Sequence, residues 1–164
     1  MKELRVALFT GNYNHIKDGV SLTLNRLVKF LEGQGIPVLV FGPTIDEPEL
    51  EHNGRLVTLP SMRMPVSGRG EYRVTTGMSV QAEKELEAFN PTLIHIATPD
   101  LGGLRALKWA QKNSVQVVGS YHTHFTSYFK YYGLTAIEFI AWRYLSWFYN
   151  SCTHVYVPSK SMIE

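Results

Sequence analysis

The chain has 164 residues, 45% of them hydrophobic and 18% charged, which is ordinary for a soluble globular protein of a single domain. Its formal net charge is +2 and its basic residues are scattered, which excludes a strongly basic surface for nucleic acid. The single cysteine, Cys152, cannot form an internal disulfide, and no segment supplies the ~20 apolar residues of a membrane span, so we expect a cytoplasmic protein.

The first forty residues predict one βαβ unit. Residues 5–10 are an apolar run typical of a buried parallel strand, and a polar loop follows over 11–19. Ser21 takes the predicted N-cap position of a helix that ends at Gly33 and Gly35. One face of this helix carries apolar residues at spacings of three and four: Leu24, Leu27, Val28 and Leu31. Residues 37–41 predict the second strand.

The rest of the chain continues the alternation. Further strands are predicted at 56–59, 93–97, 115–121 and 153–157, and further helices at 79–89, 100–113 and 135–150. Residues 61–77 have no clear period and predict a long surface loop. Another helix opens at Ser159 and is cut off at Glu164, so we expect a truncated protein. The pattern predicts an α/β fold with a Rossmann-like, doubly wound parallel sheet.

Ligands of such sheets bind beyond the carboxyl ends of the strands, where three loops carry polar residues. In the first loop, Asp18, Gly19 and Val20 lead into a helix N-terminus, which attracts phosphate, although a plain capped turn has the same spacing. The loop matches neither GxGxxG nor a P-loop. In the second loop, Asp100 is the predicted N-cap of the helix that begins there.

The third loop, residues 120–125, contains His122 and His124. Two residues apart on an extended segment, both side chains would face the same way, and they are candidates for substrate contact or for packing. A metal site would need more ligands, so we expect no metal. The aromatic-rich segment 125–149 predicts core and interface packing, and its rings could also stack on sugars or touch a membrane surface.

Four stretches together resemble the N-terminal half of family-4 retaining glycosyltransferases, which have the two-domain GT-B fold. They are Asp18 to Ser21 with the leucines of the first helix, VLVFGP at 38–43, SYHTHF at 120–125 and VYVPS at 155–159. The similarity is to the branch of α-mannosyltransferases, phosphatidylinositol mannosyltransferases and sulfoquinovosyltransferases. It implies that residues 1–164 are the N-terminal, acceptor-side domain and that the C-terminal, donor-binding domain is absent.

The resemblance implies an enzyme that transfers a hexose from a UDP- or GDP-sugar to a lipid or glycan acceptor, with no metal and no covalently bound cofactor. The partners it implies are the missing C-terminal domain and the sugar acceptor, and a lipid acceptor would add peripheral contact with the inner face of the membrane. Without the second domain, the fragment is expected to be inactive. Nucleic acid is not an expected partner.

The resemblance also implies roles for individual residues. Gly19 and Val20 would contact the donor diphosphate, and His122 would hydrogen-bond the transferred sugar and support an oxocarbenium-like transition state. Further contacts with the acceptor or the sugar are implied for Asn12, Tyr13, Asp18, His124 and Tyr128. The family often has two adjacent glycines in the first loop, whereas here Asp18 precedes Gly19. In the family, retention is attributed to front-face attack, with the leaving diphosphate helping to deprotonate the acceptor.

Three other functions share parts of this pattern. Nucleotide-sugar epimerases have the same two-domain fold, but the Gly-Val-Ser helix pattern is against them. A stand-alone, non-catalytic binding module would not end in an unfinished helix. A flavodoxin-like or response-regulator protein shares the βα alternation, but the chain lacks clustered acidic residues near the first strand.

Overall fold

The computed structural model describes residues 3–64, 71–122 and 135–158. Its strands are β1 (Val6–Phe9), β2 (Val38–Gly42), β3 (Arg55–Thr58), β4 (Ser61–Arg63), β5 (Arg73–Thr75), β6 (Leu93–Ile96), β7 (Gln116–Ser120) and β8 (His154–Tyr156). Its helices are α1 (Gly19–Gly33), α2 (Val80–Phe89), α3 (Leu101–Lys112) and α4 (Thr135–Asn150).

Six strands form one parallel sheet in the order β3-β2-β1-β6-β7-β8. The central strand β1 places Leu8 opposite Val40 of β2 on one side and His95 of β6 on the other. The chain therefore winds outward from β1 in one direction and then in the other. The predicted Rossmann-like, doubly wound parallel sheet is confirmed.

Helices cover both faces of the sheet, and β1 and β2 are accordingly apolar along their length. Val6 and Leu8 point into a cluster with α1, whereas Ala7 and Phe9 point into a second cluster with α2, α3 and α4. In the second cluster the rings of Phe9 and Phe41 stack with centroids 4.5 Å apart. Such near-continuous apolar runs are what strands buried on both faces require.

Helix α1 begins earlier than the sequence predicts, and Asp18, not Ser21, is its N-cap. Asp18 has an extended backbone, and its Oδ1 accepts a hydrogen bond from the Ser21 backbone N–H at 2.8 Å. The Ser21 hydroxyl accepts in return from the Asp18 N–H at 2.9 Å. This reciprocal pair is a capping box, so the two candidate capping residues act together and the helix includes Gly19 and Val20.

The prediction of one long loop over 61–77 is wrong, because β4 and β5 form an antiparallel pair with Ser61 opposite Thr75. Strands of three residues are too short to show an alternation of apolar and polar side chains. Two hydrogen bonds fix the pair to the N-terminus of α3: the Thr75 N–H donates to Asp100 Oδ2 at 3.1 Å, and the Gly102 N–H donates to Thr75 Oγ1 at 3.0 Å.

The remaining helices follow their predictions closely. Asp100 is the N-cap of α3, as predicted, and its Oδ1 accepts from the Gly103 N–H at 3.0 Å. Leu107 and Ala110 of α3 are buried as predicted, whereas Leu104 is only half-buried. Among the helices in the described part of the chain, none combines the length and apolar character needed to cross a membrane.

Candidate functional site

The sheet changes winding direction between the adjacent strands β1 and β6. Open α/β sheets bind ligands in the crevice that forms there. The Gly11 N–H donates to Thr98 Oγ1 at 2.8 Å and so joins the two loops. A Cβ atom at Gly11 would lie 3.2 Å from Thr98 Cγ2, so the two loops approach closely at this glycine.

Asp18 is the polar centre of the first loop. One carboxylate oxygen caps α1, and the other, Oδ2, accepts a hydrogen bond from Asn12 Nδ2 at 2.9 Å. Asn12 is held in turn through its backbone, whose carbonyl accepts from the Thr10 hydroxyl at 3.0 Å. The structure therefore brings together Asn12 and Asp18, two of the predicted sugar or acceptor contacts.

Gly19 is the first residue of α1 and is exposed. A Cβ atom built at this position would meet no other atom within 4 Å, so there is open space beside this backbone. Val20, the next residue, is half-buried and packs against the core cluster on the α1 side of the sheet. Gly19 is therefore accessible to a ligand, and the Val20 side chain mainly anchors the start of the helix.

Tyr13 is fully buried, so its side chain does not line the crevice. Its hydroxyl donates to the carbonyl oxygen of Asn53, and its pKa is raised by burial and by Glu32. Asn25 of α1 donates to the Tyr13 carbonyl at 3.0 Å and accepts from the Asn53 N–H at 2.8 Å. The predicted acceptor contact through the Tyr13 side chain is corrected: this ring supports the loop from beneath.

His122 lies just beyond the end of β7 and is half-buried. Within the described residues its Nε2 is buried and has no hydrogen-bond partner. Burial lowers the pKa of His122, and the negative charge of Asp18 acts in the opposite direction. The loops after β1 and β7 thus bring Asp18 and His122 into electrostatic range of each other, with His122 neutral at pH 7.

A second histidine, His95, lies in β6 beneath this edge and has a defined partner. Its Nε2 is 2.6 Å from the Ser120 hydroxyl, and the residue is 8% exposed. Burial first, and then the nearby His122, lower the pKa of His95 to about 4. His95 is therefore a neutral, hydrogen-bonded support for the end of β7.

Sequence reasoning missed His15 and Asn14 in the first loop. His15 is 2% exposed, and neither of its ring nitrogens has a partner at full hydrogen-bond geometry within the described residues, while the backbone of Pro43 is close enough to raise its pKa. The Oδ1 of Asn14 is also buried without a partner there. Unsatisfied buried polar atoms are uncommon in folded proteins. The available signal was a run of polar residues directly after a buried strand.

These unsatisfied atoms share one location. The buried side-chain nitrogens and oxygens that lack a partner in the described part of the chain belong to Asn14, His15 and His122. All three residues follow the carboxyl ends of β1 or β7, at the edge where ligands bind in this type of sheet. Their placement marks this edge as the candidate site.

Two predicted contacts, His124 and Tyr128, lie outside the described residues. Among residues 3–64, 71–122 and 135–158, no group of three His, Cys, Asp or Glu side chains is arranged to hold a metal ion. The expectation that no metal takes part stays a prediction.

The sequence profile of Glycosyltransferase Family 4 matches residues 17–164 of this chain. A GDP-mannose-dependent alpha-mannosyltransferase of Corynebacterium glutamicum is 23% identical over 100% of the chain, and one of Mycobacterium tuberculosis is 26% identical over 98% of it. The Sulfoquinovosyl transferase SQD2 of Arabidopsis thaliana is 24% identical over 98% of the chain. The chain spans 40%, 43% and 31%, respectively, of the length of these curated relatives. The matches confirm the resemblance inferred from the residues: the chain belongs to Glycosyltransferase Family 4 and is a glycosyltransferase domain.

Proposed function

We propose that this domain is the acceptor-side half of a retaining glycosyltransferase that transfers a hexose from a UDP- or GDP-sugar to a lipid or glycan acceptor. The observation that carries the proposal is the cluster at the carboxyl edge of the sheet. There Asp18, the open backbone at Gly19 and the unpartnered Nε2 of His122 converge in a chain that belongs to a glycosyltransferase family.

The donor diphosphate is proposed to lie against the start of α1. Gly19 leaves open space there, and the free backbone N–H groups and positive dipole end of a helix N-terminus favour a negatively charged group. Val20 contributes through its backbone, because its side chain packs against the core. Two relatives are named GDP-mannose-dependent alpha-mannosyltransferases, so GDP-mannose is the first donor to test.

His122 is proposed to hydrogen-bond a hydroxyl of the transferred sugar. Its neutral ring has one nitrogen that donates and one that accepts, and the buried Nε2 is unused within the described residues. In the proposed step, the bond from the anomeric carbon to the diphosphate oxygen breaks, and a bond to the acceptor oxygen forms on the same face. The acceptor's proton passes to the leaving diphosphate, so His122 is neither base nor nucleophile.

The acceptor is proposed to approach from the side of the first loop, with Asn12 and Asp18 facing it. Asp18 is held by the cap and by Asn12, so its carboxylate is fixed before any ligand arrives. Such preorganisation reduces the cost of binding. The predicted contacts of His124 and Tyr128 with sugar or acceptor remain part of this proposal.

The test uses the whole protein, including the part that the relatives have beyond this chain. GDP-mannose and UDP-glucose are incubated with it and a glycan or glycolipid acceptor, with and without EDTA, and the anomeric configuration of the product is read by NMR. We expect an α-linked product, unaffected by EDTA. An inverted product would refute the retaining mechanism. Release of a free epimerised sugar would instead identify a nucleotide-sugar epimerase.

The two acceptor classes predict different behaviour at a membrane. Helix α4 exposes Phe139, Ile140, Trp142 and Trp147, with Arg143 on the same helix. If the acceptor is a lipid, we expect this aromatic face to contact the bilayer and the whole protein to sediment with anionic vesicles. If the acceptor is a glycan, we expect the protein to stay in the supernatant of the same sedimentation experiment.

A further inference from the structure

Strand β6 carries one polar side chain into the interior of the sheet. His95 lies opposite Leu8 of β1 and Val118 of β7, so its ring is on the face of the sheet that α1 covers. The cluster on this face is apolar and includes Leu8 and Leu93. His95 is 8% exposed, and an apolar side chain would fill such a position at a lower cost of desolvation.

The hydrogen-bond partner of the His95 ring within the described residues is the hydroxyl of Ser120. The two atoms, Nε2 and Oγ, are 2.6 Å apart, and Ser120 is 4% exposed. Ser120 is the last residue of β7 and lies two positions beyond Val118, so it is on the same face of the sheet as His95. The bond therefore joins β6 to the end of β7 inside the sheet, away from solvent.

The backbone that leads from Ser120 to His122 is held by other elements as well. The Ser120 carbonyl oxygen accepts from the Tyr149 hydroxyl of α4 at 3.4 Å, and the Tyr121 N–H donates to the Tyr156 carbonyl of β8 at 2.8 Å. The rings of Tyr121 and Tyr149 meet edge to face, with centroids 5.4 Å apart. Contacts from β6, α4 and β8 thus hold the two residues directly before His122.

His122 lies close to the buried pair that His95 and Ser120 form. Burial and, after it, the nearby His122 lower the pKa of His95 to about 4, so the two rings are within electrostatic range of each other. The Nε2 of His122 has no hydrogen-bond partner within the described residues. The position of this ring therefore depends on the backbone that carries it, and so on the contacts that hold residues 120 and 121.

A buried polar pair costs desolvation, and what it adds over an apolar pair is a defined geometry. A hydrogen bond fixes both the distance and the direction between two strands, whereas apolar contacts are not directional. Catalytic side chains must be held within about 0.5 Å of their productive position, and a misplacement of about 1 Å can cost roughly a hundredfold in rate. The bond between His95 and Ser120 meets that requirement at the base of the segment that carries His122.

We propose that His95, acting through its hydrogen bond to Ser120, is a positioning residue that holds His122 in place for its contact with the transferred sugar. Neither His95 nor Ser120 touches a substrate. The inference rests on the proposed function of His122 and adds two residues, buried within the sheet, that set the rate without binding donor or acceptor. Loss of the pair should therefore lower kcat and leave the binding of both substrates unchanged.

The first test measures sugar transfer by the whole protein, with GDP-mannose as donor and a glycan or glycolipid as acceptor. His95→Phe keeps a planar ring but removes the bond, and Ser120→Ala removes the hydroxyl. We expect each variant to lower kcat about tenfold with both KM values unchanged, and the double variant to lower it no further, because the two residues act as one unit. Ser120→Thr restores a hydroxyl and should recover most of the lost turnover. Effects that multiply in the double variant would overturn the proposal.

Val117→Ala is the matched control for a loss of packing in the same strand. Val117 is buried on the other face of β7, in the cluster with α2, α3 and α4. We expect this variant to unfold at a lower urea concentration than the wild type and to keep its kcat. His95→Phe should be no less stable than Val117→Ala and yet have the lower kcat. A kcat that follows stability across these variants would overturn the proposal, because the pair would then have a purely structural role.

The second test does not depend on sugar transfer. Histidine-selective NMR of the full 164-residue chain follows the ring of His122, whose signals are assigned from a His122→Gln variant. We expect one sharp set of His122 signals in the wild type and a broadened or doubled set in Ser120→Ala, with the signals of His52, between β2 and β3, sharp in both. A single sharp His122 set in Ser120→Ala would overturn the proposal.

The two tests together separate this inference from the proposed function. If the wild type transfers no sugar but the His122 signals broaden in Ser120→Ala, the transferase proposal fails and the positioning of His122 by the pair stands. If the wild type transfers sugar and His95→Phe has the wild-type kcat, the transferase proposal stands and the positioning role of His95 is refuted.

Discussion

At the scale of single residues, Gly19 offers the sharpest test of where the donor lies. A Cβ atom there meets nothing within 4 Å in the protein, so Gly19→Ala should leave the fold intact and fill space that the diphosphate needs. We expect donor affinity of the whole protein to fall about tenfold or more, a change of ~1.4 kcal/mol or more by calorimetry. Gly33→Ala, at the other end of α1 and equally free of neighbours, is the matched control and should bind normally. Normal binding by both variants would move the donor away from α1.

His122 is the second test at this scale. Removing its ring in His122→Ala takes away the proposed contact with the transferred sugar, and we expect turnover of the whole protein to fall at least about tenfold. His154→Ala, which removes an exposed imidazole from β8, should leave turnover unchanged. Wild-type turnover by His122→Ala would remove this residue from the mechanism, and an unaltered circular dichroism spectrum is the check on folding.

At the scale of elements, Asp100 has two functions, because it caps α3 and also binds the β4–β5 pair through the Thr75 N–H. Asp100→Ala should lose the cap, worth ~1 kcal/mol, and leave a buried N–H unpaired, which costs a further ~1–3 kcal/mol. Ser79→Ala removes only the cap of α2 and should cost ~1 kcal/mol. Urea unfolding of both variants measures the difference. Equal losses would mean that Asp100 does not hold the β4–β5 pair.

The elements also show why some features can be read from the sequence and others cannot. Strands β1 and β2 are uniformly apolar because both of their faces are buried, and that pattern predicts them directly. Strands β4 and β5 have three residues each and depend on Thr75 and Asp100, which are 25 residues apart. The burial of Tyr13 depends likewise on Asn25 and Asn53. Such long-range contacts leave no local pattern.

At the scale of the whole molecule, the buried histidines make stability depend on pH. The pKa of His95 is lowered from 6.5 to about 4, so between these values the unfolded state binds more protons and stability falls as the pH falls. From pH 7 to pH 5 this residue alone should cost about 2 kcal/mol. His15 and His122, whose pKa values are also lowered, act in the same direction. Urea unfolding at both pH values should therefore show a smaller loss for His95→Gln than for the wild type. An equal loss in both proteins would contradict this assignment.

The candidate site could be predicted only in part from the sequence. His122, Asp18 and Gly19 could be proposed because they follow predicted strands and match a family pattern. The proximity of His15 to Arg63 and Arg73 could not be predicted, because it arises from a strand pair that the sequence does not reveal. The chain spans only 31–43% of the length of three relatives, so we propose that the donor is held between this domain and the part of the protein beyond it.

The most direct test of that proposal is calorimetry of UDP- and GDP-sugars binding to this chain, beside the same chain extended through the rest of the protein. We predict that the extended protein binds one of these donors and that the 164-residue chain binds none measurably. Tight binding of a nucleotide-sugar by the 164-residue chain alone would contradict the half-enzyme account and identify a self-contained nucleotide-binding domain.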